Sequence, residues 1–250
     1  MPLYLTPDLF SAFTKVIAAE STRHGGVSPA PFSSLNLGLN TNDDADNVAE
    51  NRRRFFRALT GDETERMVAS SHQTHGTDVL LAQQAGRYSG YDALITDTPG
   101  LLLTVTVADC VPILIYDNAN RAVAAVHAGW RGTAGAIVTK TLAAMQQQFG
   151  TTANECYAYV GTCIDQTSFE VGPEVAGQFA AAFRQVDPQT QKDCINLKGA
   201  NRQQLLDFGI PASQIMVSSF STVLNNDDYF SYRAEHGQTG RMLAAIGLRA

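Results

Sequence analysis

Two apolar runs rich in β-branched residues lie close together near the middle of the chain, at residues 111–116 and 122–126. Residues 117–120, with the sequence DNAN, separate the two runs and are polar or small. Short apolar runs joined by a loop of about four residues are typical of a β-hairpin. The pattern therefore predicts a strand, a turn and a second strand over residues 111–126.

The predicted hairpin brings two chemically reactive side chains together. If it centres on residues 117–120, Tyr116 lies opposite Arg121, and counting outward then places Cys110 opposite His127. Cross-strand partners share one face of a sheet, with their Cβ atoms about 4.5–5.5 Å apart. A thiolate and an imidazole at that separation can hold one metal ion, or can act as a nucleophile with its general base.

The rest of the chain alternates irregularly between strand and helix patterns. Residues 42–44 are typical of a helix start, and residues 45–60 carry apolar side chains at helical spacing. The other predicted helices cover residues 134–149, 175–183, 202–208 and 242–248, and the other predicted strands lie within residues 67–82, 91–98, 101–107, 157–161, 215–217 and 228–233. Because strands and helices mix without a regular repeat, the sequence predicts a single mixed α/β domain over residues 1–250.

Composition narrows the class of protein. The chain has 250 residues, 44% of them hydrophobic and 17% charged, which is ordinary for a globular protein with a large core. A net charge of −6, without a long basic run, argues against nucleic acid or an anionic membrane surface as the partner. No apolar stretch reaches the length of about 18 residues that a membrane span needs. The four cysteines form no C-x-x-C pair, which favours reduced thiols and a cytoplasmic location.

A further histidine is available to complete a metal site. His72 and His75 lie in the loop predicted within residues 67–82, and Gly76 follows them directly. Two histidines at this spacing can bind the same metal ion only on a helix or in a tight turn. Because Gly76 interrupts the segment, we expect one of the two histidines to be functional and the other to be a bystander.

Two other polar features are candidates for substrate binding. Arg23 precedes Gly25 and Gly26, whose backbone N–H groups can converge on an anion while the guanidinium adds a fork of donors. An ordinary surface loop is the alternative for this stretch. Asp109 directly precedes Cys110, and it can contact a substrate, orient a neighbouring group or simply end the strand.

Several motifs spread over residues 21–241 resemble one known family. They are TRHGGVS (22–28), ENRRR (50–54), QTHGTDV (73–79), DALITD (92–97), TVADC (106–110), AVHAGWRG (125–132), VGTCI and FEVGPEV (within 160–175) and FSYRAEHGQTGR (230–241). Together they resemble the laccase-domain, or polyphenol oxidoreductase, family, whose bacterial members act as zinc-dependent purine nucleoside phosphorylases. The chain departs from the family pattern at residues 162 and 165, where the family usually reads G-P-C-I-G, and at residue 221.

The resemblance implies a fold and a metal site. The fold is a four-layer α/β/β/α arrangement with mixed sheets. Matching motif to motif places the zinc ligands at His75, Cys110 and His127. Three protein ligands leave one tetrahedral position open, which is typical of catalytic rather than structural zinc.

The resemblance also implies the substrates, which are purine nucleosides and phosphate. The family's activities are phosphorolysis of adenosine, inosine and methylthioadenosine, and hydrolytic deamination of adenosine. In phosphorolysis cationic donors should converge on the phosphate, and Arg23 and Arg233 are the candidates. Asp109 is a candidate catalytic base or a hydrogen-bond partner of the nucleoside.

Three alternatives stay open on the residues alone. A metal-free cysteine hydrolase would use Cys110 as nucleophile and His127 as base, and would not need His75. A copper-dependent polyphenol oxidase would need many histidines over several metal sites, and the chain has five histidines in all, so copper ranks behind zinc as the metal. A binding module without turnover would leave the Cys110–His127 pair without a purpose.

Overall fold

The structure is a computed structural model that describes residues 1–61 and 67–250. Its strands are β1 Tyr4–Leu5, β2 Val16–Ser21, β3 Val68–His72, β4 Val79–Leu81, β5 Gly86–Ser89, β6 Ala93–Thr96, β7 Leu102–Val107, β8 Val111–Asp117, β9 Ala122–Ala128, β10 Cys156–Val160, β11 Glu170–Val171, β12 Arg184–Val186, β13 Asp193–Ile195, β14 Ile215–Val217 and β15 Met242–Leu248. Its α-helices are α1 Ala45–Thr60, α2 Trp130–Ala134, α3 Ile137–Phe149, α4 Pro173–Ala176 and α5 Leu197–Phe208. Within the described residues no helix combines the length and the apolar character needed to cross a membrane.

Most strands belong to two six-stranded mixed sheets that pack face to face. The first sheet has the order β1-β2-β15-β7-β3-β5, and the second has the order β14-β10-β8-β9-β6-β4. One core cluster joins both sheets through side chains such as Leu103 and Ile246 of the first sheet and Leu94 and Leu114 of the second. Strands β11, β13 and β12 form a small separate sheet.

Helices cover the two outer faces. Phe55 and Phe56 of α1 pack with Leu102 of the first sheet, while Leu142 of α3 and Leu205 of α5 belong to the cluster on the outer face of the second sheet. Strands β8 and β9 are therefore buried on both faces, which explains why their sequences are continuous apolar runs rather than alternating patterns. The layers follow in the order helix, sheet, sheet, helix, and the four-layer α/β/β/α prediction is confirmed.

Helix α1 has the predicted bounds because its end signals are local. The Asp44 side chain caps the N-terminus by accepting a hydrogen bond from the Asp46 N–H, and Gly61 ends the helix in the left-handed conformation at φ 81°. The two phenylalanines of its apolar face are fully buried. Helix-period patterning between two such caps is the strongest local signal a sequence offers.

The central hairpin is confirmed, but its predicted register is wrong by two residues. Strands β8 and β9 pair Pro112, not Cys110, with His127. The reason is that the Asp117 carboxylate accepts hydrogen bonds from two backbone N–H groups of the turn, each at 3.1 Å, so the strand extends through Asp117 and the loop begins one residue later. Cys110 therefore lies just before β8.

Residues 242–248 form a strand and not the predicted closing helix. All seven residues of β15 are buried, and the strand lies between β2 and β7, antiparallel to both. A fully apolar run fits a buried helix or a buried strand equally well, and the central position in the sheet decides between them. A Cβ atom on Gly247 would come within 2.6 Å of the Leu101 carbonyl oxygen, so this close strand packing needs glycine.

Four other predicted elements are corrected. Residues 228–233 form turns rather than a strand. The helix predicted over residues 134–149 is divided into α2 and α3 at Ala136, which has a φ of 60°. The helix predicted over residues 175–183 shrinks to the single turn of α4, and the one predicted from residue 202 starts earlier, at Leu197.

Candidate metal centre

Three side chains that are far apart in the sequence meet at one end of the two sheets. His75 follows β3, Cys110 lies in the connection from β7 of the first sheet to β8 of the second, and His127 is on β9. Ligand atoms of the three residues all lie within 4.8 Å of one another. Over residues 1–61 and 67–250 this is the only such group of histidine, cysteine and acidic side chains. The structure thus brings together the ligands that the resemblance implied.

The two imidazole rings approach the site from different environments. The rings lie 4.9 Å apart between centroids, with their planes at 81°. His127 is 3% exposed, whereas His75 is exposed and sits in a left-handed turn at φ 60°. One ligand is therefore fixed in the core, and the other faces the solvent side of the centre.

Asp92 orients the two histidines, and its role was not predicted from the sequence. Its buried carboxylate accepts hydrogen bonds from His127 Nδ1 at 2.7 Å, the His75 N–H at 2.9 Å, the Gly76 N–H at 2.7 Å, and the N–H and hydroxyl of Thr74 at 3.1 and 3.2 Å. Because Nδ1 of His127 donates to Asp92, Nε2 is the nitrogen left for a metal. The only sequence signal for this role was the DALITD motif itself.

The electrostatics of the centre favour a thiolate. Burial alone would raise the pKa of the Cys110 thiol, but the neighbouring His127 and His75 rings outweigh burial and lower that pKa to about 6. Burial alone would lower the pKa of His127, yet the Cys110 thiolate and the Asp92 carboxylate raise it to about 9. The thiolate is the form of cysteine that binds metals and that acts as a nucleophile.

His75, Cys110 and His127 fit a metal ion that prefers nitrogen and sulfur ligands. Two imidazoles and one thiolate are a donor set that zinc binds with a fourth position open. Gly129 leaves room for this arrangement, because a Cβ atom there would come within 3.0 Å of His75 Cδ2 and 3.1 Å of Cys110 Sγ. The glycine in the AVHAGWRG motif thus permits the ligands to approach each other.

A cavity of about 510 Å³ opens over the centre. All three ligands line it, and so does the aromatic ring of Phe169. Its charged lining is predominantly basic, with the side chains of Arg52, Arg87, Arg233 and Arg241. Asp109 is the single carboxylate in that lining among the residues that the structure describes.

Asp109 lies in the cavity wall with its carboxylate engaged by protein donors. It accepts hydrogen bonds from the Thr222 hydroxyl at 2.5 Å, the Ser231 hydroxyl at 2.7 Å and the Arg233 N–H at 2.6 Å. Its φ of 83° is in the left-handed region, which turns the chain sharply just before Cys110. Asp109 therefore ties the segment around Arg233 to the metal centre.

Of the two predicted phosphate ligands, the structure brings only Arg233 to the cavity. Arg233 is exposed, lies over the Phe169 ring at 5.5 Å, and donates to the carbonyls of Ser168 and Glu170. Arg23 does not line the cavity.

The guanidinium of Arg23 is engaged inside the protein. It donates to the Ser33 and Asn226 carbonyls and to the Glu235 carboxylate, at 2.9, 2.7 and 2.9 Å. Phosphate binding by Arg23 is not supported by this placement, because its donors hold neighbouring loops together.

Comparison with known proteins decides the family. The family model described as multi-copper polyphenol oxidoreductase laccase matches residues 17–249. The chain belongs to this family. The resemblance read from the sequence motifs is thereby confirmed.

Similar family members have been named as enzymes. A protein of Deinococcus radiodurans named purine nucleoside phosphorylase is 40% identical over 252 residues, covering 99% of this chain and 93% of its own. A protein of the same name from Bacteroides thetaiotaomicron is 35% identical over 94% of this chain and 93% of its own. The crystal structure of YlmD from Geobacillus stearothermophilus superposes with a TM-score of 0.92, at 32% identity, over 100% of this chain and 97% of its own.

Proposed function

We propose that this protein is a zinc-dependent purine nucleoside phosphorylase that cleaves adenosine, inosine and methylthioadenosine with phosphate. The observation that carries the proposal is the convergence of His75, Cys110 and His127 on the wall of a cavity lined by four arginines. A metal-binding donor set beside a basic cavity suits a reaction between a neutral nucleoside and an anion. The names of the similar family members support this reaction class.

In this proposal the chain positions the metal and both substrates. His75, Cys110 and His127 would hold the zinc, and Asp92 keeps a proton on Nδ1 of His127 so that Nε2 is available. When bound there, zinc supplies Lewis-acid chemistry that polarises an atom of the substrate.

Phosphorolysis breaks the bond between the ribose C1′ and the purine nitrogen while a phosphate oxygen bonds to C1′. The departing purine takes up the proton that the hydrogen phosphate gives up as it becomes a phosphate ester. The residues that we assign to substrate binding are Arg233, whose guanidinium faces the cavity, and the aromatic rings of Phe169 and Tyr232, which offer flat apolar surfaces to a purine. Asp109 contributes by holding the Arg233 segment in place, since its carboxylate accepts hydrogen bonds from the Ser231 hydroxyl and the Arg233 N–H.

We also propose hydrolytic deamination of adenosine as a side activity at the same site, with water in place of phosphate. The proposed location is the cytoplasm, and the support is that all four cysteines are unpaired.

A metal-free cysteine hydrolase is the second candidate, because one observation favours it. The pKa of Cys110 is lowered to about 6 beside His127, as in a nucleophile–base pair. Copper-dependent polyphenol oxidation is less well supported, because a single three-ligand group is present within the described residues and multicopper chemistry uses several metal sites.

The reaction class is tested by the phosphate dependence of nucleoside cleavage. Zinc-loaded protein is incubated with inosine, with and without inorganic phosphate, and the products are separated by chromatography. We expect hypoxanthine and ribose 1-phosphate in equal amounts, formed only when phosphate is present. Release of hypoxanthine and free ribose at the same rate without phosphate would show a hydrolase and reject the proposal.

A further inference from the structure

One part of the cavity extends away from the metal centre over the outer face of the first sheet. Successive residues of a strand point to opposite faces, so Ser70 and His72 share the face of Val68, and Thr104 and Thr106 share the face of Leu102. Val68 and Leu102 pack under α1. Beyond them the same face becomes polar and lines the cavity.

Arginines border this polar face. Arg87 of β5 is the register partner of Ser70 on β3, so its side chain lies on the same face. Arg52 of α1 is 3% exposed, lines the cavity, and donates to the Leu37 carbonyl at 2.8 Å. We call this region the polar arm, formed by Arg52, Ser70, His72, Arg87, Thr104 and Thr106.

A chain of hydrogen bonds fixes the donors of the arm. Arg87 donates to Asn40 Oδ1 at 2.7 Å, and since a guanidinium can only donate, the amide oxygen of Asn40 must face Arg87. The Asn40 NH₂ group then faces His72 Nδ1 at 2.8 Å and donates to it. Nδ1 of His72 is thus an acceptor, and the ring proton lies on Nε2. His72 consequently presents a donor at Nε2, oriented through Asn40 by a charged arginine.

Among the residues that the structure describes, the charged side chains lining the arm are all basic. They are Arg52 and Arg87, and the one carboxylate of the described cavity lining, Asp109, lies outside the arm, next to Cys110, where it accepts a hydrogen bond from the Arg233 N–H. The whole chain carries a net charge of −6, so this local excess of positive charge runs against the overall balance. Cationic groups, hydroxyls and an N–H donor on one concave surface are a chemical match for a phosphoryl dianion.

We propose that the polar arm is a phosphoryl-binding subsite of the cavity that does not include Arg233. This inference rests on the proposed function for its assignment to a nucleoside enzyme. The phosphoryl group has two sources. It is either the inorganic phosphate that attacks the nucleoside, with Arg233 contacting the nucleoside, or the 5′-phosphate of a nucleotide substrate, with Arg233 contacting inorganic phosphate.

The test is calorimetric binding of inorganic phosphate and, separately, of inosine 5′-monophosphate to the zinc-loaded protein. The test variant is Arg87→Gln, which removes the charge and the donor that orients Asn40. The matched control is Arg121→Gln, because Arg121 lies in the turn at the opposite end of the β8–β9 hairpin from the metal centre. Zinc content and circular dichroism establish that each variant is folded.

We expect Arg87→Gln to weaken phosphoryl binding about tenfold, as for the loss of one charge-assisted hydrogen bond, while Arg121→Gln binds as the parent does. Weaker binding of inorganic phosphate identifies the arm as the site of the attacking phosphate. Weaker binding of the nucleotide alone identifies it as the site of a 5′-phosphate. Unchanged affinity for both ligands overturns the proposal.

A second variant guards against an uninformative result at Arg87. Ser70→Asp places a carboxylate beside Arg87 and should weaken binding of the same probe or probes that Arg87→Gln weakens, and normal binding of both probes by this variant would also overturn the proposal. Because binding is measured without turnover, it is independent of the reaction class. If the protein cleaves nucleosides with phosphate but Arg87→Gln binds both probes normally, only the subsite is rejected. If Arg87→Gln binds a probe more weakly but the parent protein shows no phosphate-dependent cleavage, only the phosphorylase activity is rejected.

Discussion

A His75→Ala protein is expected to lose both its zinc and its phosphorolysis of nucleosides. His75 is the exposed member of the ligand group, and its removal leaves two protein donors, which hold zinc poorly. The losses should exceed the roughly 10- to 100-fold effects that are typical when only an outer-shell partner of a ligand is removed. Metal analysis of the purified protein and the inosine assay give the two readouts.

His24→Gln is the matched control for this prediction. His24 is an accessible histidine that pairs with Asp228 at 2.8 Å and does not line the cavity. It should retain about one zinc per chain. A His75→Ala protein that is free of metal and fully active would replace the zinc enzyme with the cysteine hydrolase, since that mechanism needs only Cys110 and His127.

Asp92→Asn is expected to give the second largest effect, because one carboxylate serves both histidine ligands. An asparagine has a single acceptor oxygen for the hydrogen bonds that Asp92 accepts, and its NH₂ group would face N–H donors. Burial alone would raise the pKa of Asp92, but the hydrogen bond and charge of His127, together with the N–H groups of Gly76 and Thr74, lower that pKa to about 2, so the native group is ionised at neutral pH.

We expect zinc affinity to fall about 10- to 100-fold in this variant, as for other outer-shell changes. We also expect the metal-free protein to lose about 1–3 kcal/mol of unfolding free energy for each donor left unsatisfied. Competition with a chromophoric chelator measures the first effect, and urea unfolding of metal-free protein measures the second. Asp207→Asn, at an exposed position of α5, is the control, and equal zinc affinity in both variants would mean that Asp92 does not orient the ligands.

Sequence reasoning selected the His75, Cys110 and His127 group that the structure brings together, but it placed the group by an incorrect hairpin register. The hairpin count paired Cys110 with His127, whereas the structure pairs Pro112 with His127 and reaches Cys110 through the turn at Asp109. Both registers bring the side chains of Cys110 and His127 close together. The match to the family motifs was the sounder guide because it did not depend on the register. Register depends on hydrogen bonds made by Asp117 in the turn, which apolar periodicity does not encode.

The sequence did not reveal the contacts that join segments far apart in the chain. Asp92 stands in an apolar strand motif, and its partners lie at residues 74–76 and 127. The ENRRR motif likewise did not reveal which of its arginines lies at the cavity. Arg53 and Arg54 pair with Glu50 on a partly exposed helix face, while Arg52 is buried in the cavity wall.

A glycine-rich sequence beside an arginine does not reveal which partners the guanidinium will have in the fold. The Arg23 loop has the composition of an anion site, but its guanidinium is engaged by protein carbonyls and a carboxylate. The basic residues of the cavity come instead from α1, β5 and the segment after residue 230. No local motif joins them, because they meet only when α1 packs on the first sheet and Asp109 holds the segment around Arg233.

The central claim is that Cys110 is a zinc ligand required for phosphorolysis. The most direct test is to alkylate the Cys110 thiol and to measure zinc content and phosphorolysis in the same samples. Cys110 is the one partly exposed cysteine, since the other three are buried, and peptide mapping by mass spectrometry distinguishes it from them. The account predicts slow alkylation of the zinc-loaded protein, fast alkylation and no phosphorolysis after chelation, and recovery of both properties when zinc is restored. Alkylation of Cys110 at one rate with and without chelator, together with full activity of the metal-free protein, would contradict it.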